Sequence, residues 1–134
     1  MEVLSVFARL SRLALCVGGA LTVFASLAQA QEQMSIAIAF SASVQRYAHQ
    51  CRRDPAEAEA MAMRRCALFG VNDCQLVGTA SDGLCVALAV GPAGEIGIGD
   101  GSNQTEAASR AAVECGAGCV TRVARCSRRT CEEN

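Results

Sequence analysis

The chain has 134 residues, with twelve arginines, no lysine, 13 acidic residues and a formal net charge of −1. So even a balance counts against a general nucleic-acid binder. With no Trp and one Tyr, there is little aromatic surface on which single-stranded bases could stack.

Residues 1–30 read as a signal peptide. Arg9 and Arg12 supply the positive start, Leu13 to Leu27 form a 15-residue run without charge, and Ala28-Gln29-Ala30 gives the small-x-small cleavage pattern. The run falls short of the roughly 20 residues that span a bilayer. Leu13-Ala14-Leu15-Cys16 is a poor lipoprotein box, because Leu15 stands where a small residue is needed. Export to the periplasm or the medium is therefore expected, with no transmembrane segment after cleavage.

Cleavage also separates the nine cysteines. Cys16 leaves with the signal; Cys51, Cys66, Cys74, Cys85, Cys115, Cys119, Cys126 and Cys131 remain. An even set on a small exported domain reads as a disulfide framework. Residues 31–134 carry ten arginines against twelve acidic residues, a net of −2, and their apolar content is mostly Ala, Val, Ile and Leu. A core that modest needs staples, each worth about 2–4 kcal/mol.

The domain 31–134 is written twice, at about 34–82 and 84–131. Ile36-Ala37-Ile38-Ala39-Phe40 matches Val86-Ala87-Leu88-Ala89-Val90, and Asp54, Glu57, Ala58, Ala62 and Cys66 match Asn103, Glu106, Ala107, Ala111 and Cys115. Cys74 matches Cys119 after a four-residue contraction. In chain order each copy predicts a strand (35–40; 85–90), a turn, a weaker strand (44–50; 95–99), a capped helix (to about 68; to about 114) and a closing strand (75–80; 120–125). Asp54-Pro55-Ala56-Glu57 places Asp at the N-cap, Pro at the first helical position and Glu at the third. Asn103-Gln104-Thr105-Glu106 repeats the signature; it also matches a glycosylation sequon, but the cap accounts for Asn103. The expected fold class is α+β: a duplicated ββαβ unit, two helices packed on antiparallel sheet, stapled by disulfides.

Cys66 and Cys115 end their helices and Cys74 and Cys119 open the next strands, so Cys66–Cys74 and Cys115–Cys119 are natural pairs. Eight cysteines still allow 105 connectivities. Zinc would require closer knuckles than these spacings offer, and no cofactor is expected. Gly97-Ile98-Gly99-Asp100-Gly101 superficially suggests a dinucleotide loop, but its third glycine comes one residue early and no parallel crossover surrounds it; a strand end of small residues is the simpler reading. His49, the only histidine, is expected to face solvent from a strand, and no catalytic signature accompanies it. Arg122, Arg125, Arg128 and Arg129 form a cluster that could meet an anionic ligand; a charge-balanced solvated surface is the alternative.

The doubled strand (Ile36–Phe40; Cys85–Val90), the alanine-rich helix ending in Cys (Ala56–Cys66; Ala107–Cys115), the following Cys (Cys74; Cys119) and the late Cys126 resemble the exported bacterial family catalogued as domain of unknown function 4189. The resemblance covers nearly all of residues 31–134. It implies a Cys85–Cys126 bridge beside the two helix–strand bridges. This chain carries Cys51 and Cys131 in addition, which leaves them for a fourth bridge, and it has no Trp on the hairpin strands. The family brings no established activity or catalytic residues. The leading functional expectation is a binding module for a protein or an envelope component. An enzyme of unrecognised type and a redox protein using Cys51 and Cys131 are the rivals; free-thiol titration and a pocket joining His49 to a carboxylate would distinguish them.

Cleavage after Ala30 is checked by intact mass: the exported protein should begin at Gln31, and a mass retaining Met1 or carrying acyl chains would refute it.

Overall fold

A computed structural model describes residues 33–128. The elements are β1 (Ser35–Ser41), β2 (Arg46–Arg52), α1 (Pro55–Ala67), β3 (Cys74–Ala80), β4 (Cys85–Val90), β5 (Ile96–Gly101), α2 (Gln104–Cys115) and β6 (Val120–Cys126). Two ββαβ units follow one another. Their strands form two three-stranded antiparallel sheets, one per unit, in the orders β2-β1-β3 and β5-β4-β6. The class is α+β.

The central strands explain the layering. A strand sends alternate side chains to opposite faces. In β1 and β4 the large residues and the alanines alternate, so one face of each is bulky and the other nearly flat. Ile36, Ile38, Phe40, Val86, Leu88 and Val90 form a core between the two sheets, joined by Ala80 and Val123. The opposite face of β1, Ala37 and Ala39, packs on Ala58, Ala62 and Cys66 of α1. Ala87 and Ala89 of β4 pack on Ala107 and Ala111 of α2. The result is helix, sheet, sheet, helix.

Both helices start as their sequences direct. Asp54 accepts a hydrogen bond from the Ala56 N–H (2.8 Å) ahead of Pro55. Asn103 accepts from the Glu106 N–H (2.9 Å). Glu106 reaches back one residue further than a standard capping box, taking the Ser102 N–H and hydroxyl, each at 2.8 Å. These two bonds, with the Arg110 guanidinium, hold the Glu106 carboxyl below its usual range.

Strand edges differ from expectation in two places. The second strand begins at Arg46, because Gln45 sits in the turn with φ 50°. The fifth strand runs through Gly101, past the expected end at residue 99. Its glycines oppose Ala89, Ala87 and Cys85 and so lie on the helix side. A Cβ on Gly97 would fall 2.2 Å from the Ala111 carbonyl oxygen, and one on Gly99 2.2 Å from that of Ala107. The glycine run is thus the seat of α2, whose backbone rests directly on β5. The first unit has Ala48, Gln50 and Arg52 at the equivalent positions, opposite Ala39, Ala37 and Ser35.

Bulges stand on the third strand of each unit. Pairing slips between Ile38 and Ala39, leaving Val77 extra on β3, and between Leu88 and Ala89, leaving Arg122 extra on β6. The shared irregularity aligns the two strands residue by residue.

Gly99→Ala tests the seat. Its backbone is open to alanine, so only the clash counts; overpacking of this kind costs about 1–3 kcal/mol. Urea unfolding should show at least that loss, and a variant as stable as wild type would mean that α2 can lift from β5 freely.

Candidate functional site

Three of the expected bridges are present: Cys66–Cys74, Cys115–Cys119 and Cys85–Cys126. The first two tie each helix end to the following strand, each with a Cα–Cα distance of 6.0 Å. The third joins residues directly opposed on β4 and β6. Cys51 is also disulfide-bonded. The other six described cysteines pair with one another, so its partner lies outside the described residues, as does Cys131.

His49 is half-buried rather than solvent-facing. It lies opposite Ile38, on the side of β2 that faces the other sheet, with the Tyr47 ring stacked at 6.3 Å. Among the described residues, no group of three or more His, Cys, Asp or Glu side chains is placed to hold a metal ion. No described helix is long and apolar enough to cross a membrane.

A polar clamp that the sequence did not advertise lies at the end of β1. The fully buried Ser41 hydroxyl donates to Asp73 Oδ1 at 2.6 Å. The Ser43 hydroxyl donates to the same oxygen at 3.0 Å, and the Ser43 N–H donates to Oδ2 at 2.7 Å. The Ser41 bond first, then the Ser43 N–H, holds the Asp73 carboxyl below its ordinary range. The clamp fixes the β1–β2 turn to the loop before Cys74. At the matching turn of the second unit, Glu95 accepts from the Ala93 N–H (3.0 Å), and Gly91 stands where Ser41 does. With Ser41 fully buried, these bonds hold the turn in place.

The arginine cluster is the part of the surface with chemistry left over. Arg129 lies outside the described residues. Arg128 is exposed and donates to the Ser102 carbonyl at 3.4 Å. Arg122 and Arg125 stand on β6, and the common bulge shows what they replace. Val77 of β3, packed on the core between the sheets, corresponds to Arg122. Ala80, buried opposite Ile36, corresponds to Arg125 opposite Val86. Gly78 corresponds to the buried Val123. One buried and one half-buried apolar position of the first unit are thus cationic in the second. Arg125 is half-buried, and its Nε is shielded from solvent without a hydrogen-bond partner among the described residues.

The cluster itself was visible in the sequence; the substitution of core residues was not. It needed the third strands compared at the offset set by Cys74 and Cys119, which brings Val77 onto Arg122 and Ala80 onto Arg125.

A family model described as a domain of unknown function (DUF4189) matches residues 36–131. The chain belongs to this family. Neither curated proteins nor solved structures gave a match. The matched segment takes in both ββαβ units and every cysteine downstream of residue 36. Family membership therefore spans the whole described domain, the cationic strand included, and carries no activity with it.

The Asp73 clamp gives a pH prediction. A carboxyl whose folded pKa is depressed contributes stability above its unfolded pKa, about 3.9 for Asp, and loses it as pH falls through the lower folded value. Wild type should be more stable than Asp73→Asn at neutral pH, with the gap closing below about pH 4. Denaturant midpoints at several pH values check this, and a gap that persists unchanged at the acid end would contradict it.

Proposed function

We propose that this is an exported, disulfide-stapled binding module whose ligand is an anionic protein surface or envelope component, met at β6 by Arg122, Arg125 and Arg128. Export is supported by the signal-like residues 1–30 and by cysteines held as disulfides, which persist in oxidising compartments. The same reading makes Cys51–Cys131 the fourth bridge, closing the long path from β2 to the C-terminus.

One observation carries the ligand class. A formally acidic domain places cations on the third strand of one repeat, where the other repeat has the buried Ala80 and the half-buried Val77. Replacing core methyl groups by guanidinium forfeits burial and adds desolvation cost. Selection for folding alone gives no reason for that exchange; recognition of an anion does. Arginine suits the task because its fork of donors matches carboxylate and phosphate oxygens.

Envelope vesicles from the exporting cell should co-sediment with residues 31–134, with binding weakening as salt rises between about 50 and 300 mM. Arg122→Gln/Arg125→Gln should lose most of that binding while keeping its fold. Equal sedimentation of the double variant would exclude this strand as the ligand face.

A further inference from the structure

The two helix–strand bridges hold the same place in the duplicated frame but sit in different surroundings. In the first unit Cys66 is fully buried, and Phe69, from the loop that the bridge closes, packs on the cluster containing it. The Arg46 guanidinium lies over the Phe69 ring, 4.2 Å from its centroid. In the second unit the cysteines are separated by 4 positions rather than 8. Only Gly116, Ala117 and Gly118 lie between them, all exposed, and Cys115 and Cys119 are both half-buried. The Phe69 cover has no counterpart in so short a loop. Glu95 takes the place of Arg46: Arg46 opposes Ser41 on β1, and the N–H of Gly91, which stands where Ser41 does, donates to the Glu95 carbonyl at 2.8 Å. Glu95 borders both sulfurs. Its carbonyl oxygen is 3.6 Å from Cys115 Sγ. A Cβ on Gly91 would meet the Glu95 carboxylate and, at 3.1 Å, Cys119 Sγ, so these two groups flank one gap that glycine leaves open. The Ala93 N–H holds the carboxylate there, 3.0 Å from Oε2.

Backbone pairing already secures this corner. The Gly116 N–H donates to the Ala112 carbonyl at 3.0 Å, and Val120, next after Cys119, pairs with Val90. A bridge across so short a loop restricts the unfolded chain least, so it can open with little loss of fold. We propose that Cys115–Cys119 is a thiol–disulfide exchange site that oxidises a dithiol on a partner, with Glu95 as its proton carrier. One partner thiol gives its proton to the Glu95 carboxylate as its sulfur attacks Cys119 Sγ. The Cys115–Cys119 bond breaks, and Cys115 leaves with the electron pair. The partner's second sulfur then attacks the mixed disulfide. Cys119 leaves and takes the proton held by Glu95, and the second thiol's proton passes to Cys115. The partner ends as a disulfide and Cys115 and Cys119 as thiols, so the partner is the only reductant required. In the reduced form the Cys115 S–H has the Glu95 carbonyl as its acceptor. This activity is separate from the anion-binding reading and does not rest on it.

The first unit supplies the control bridge within the same molecule. The exported, disulfide-intact protein is equilibrated in glutathione buffers, its free thiols are alkylated, and the peptides are mapped by mass. Half-reduction of Cys115–Cys119 should need a buffer at least about tenfold less reducing than half-reduction of Cys66–Cys74, with buffers compared by the square of reduced over oxidised concentration. Cys115→Ser/Cys119→Ser, which lacks the bridge without any reductant, should keep native circular dichroism and melt cooperatively. Dithiothreitol at pH 7 should open the bridge of Glu95→Gln at least about tenfold more slowly than that of wild type, and the gap should close at pH values where the reagent is already thiolate. A purely structural Glu95 would leave that pH profile unchanged. The proposal fails if the two bridges open together, if loss of Cys115–Cys119 unfolds the domain, or if Glu95→Gln is reduced as fast as wild type, or faster, at pH 7.

Discussion

β1 and β4 are buried on both faces, and a strand in that position must satisfy two neighbours at once. Alternation of large and small side chains is how these two strands do it. The bulky set, Ile36, Ile38 and Phe40 with Val86, Leu88 and Val90, fills the space between the sheets. Each such side chain contributes about 1.5–3 kcal/mol when fully buried. The small set, Ala37, Ala39, Ala87 and Ala89, lets a helix lie close on each outer face. Alanine buries little area, so the outer layers gain less from burial than the centre does. Covalent ties are found at those weak layers: Cys66–Cys74 and Cys115–Cys119 each anchor a helix end to the next strand.

The same frame, used twice, is finished differently each time. The second unit pushes close packing to its limit, seating the α2 backbone on three glycines of β5. The first keeps side chains at those positions and secures its turn with Asp73 instead. The third strands diverge most. Both carry the bulge at the same register position, which fixes their equivalence independently of any sequence similarity. On β3 the bulge residue Val77 and Ala80 pack on the core; on β6 the same two positions carry Arg122 and Arg125.

Much of this was legible from residues alone. The period-two alternation of Ile36–Phe40 and Val86–Val90 identified the central strands, and Asp54-Pro55 and Asn103 with Glu106 identified the helix starts. The helix-ending cysteines were matched to their strand partners by the duplication. The rest depends on pairing and burial, which a linear pattern does not encode. Nothing local says whether six strands join one sheet or two. Gly97, Gly99 and Gly101 look alike whether they end a strand or seat a helix. Ser41 and Asp73 are far apart in the chain and meet only through the β1–β3 pairing. Arg125 reads as a surface charge until its register partner, Val86, shows which face it shares.

The two units share one core through β1 and β4. Native-state hydrogen exchange tests it most directly. The amides of Ile36–Phe40 and Val86–Val90 should be the last to exchange, with a common opening free energy equal to that of global unfolding. If one strand exchanges well before the other, the units unfold separately and the shared inter-sheet core does not govern the fold.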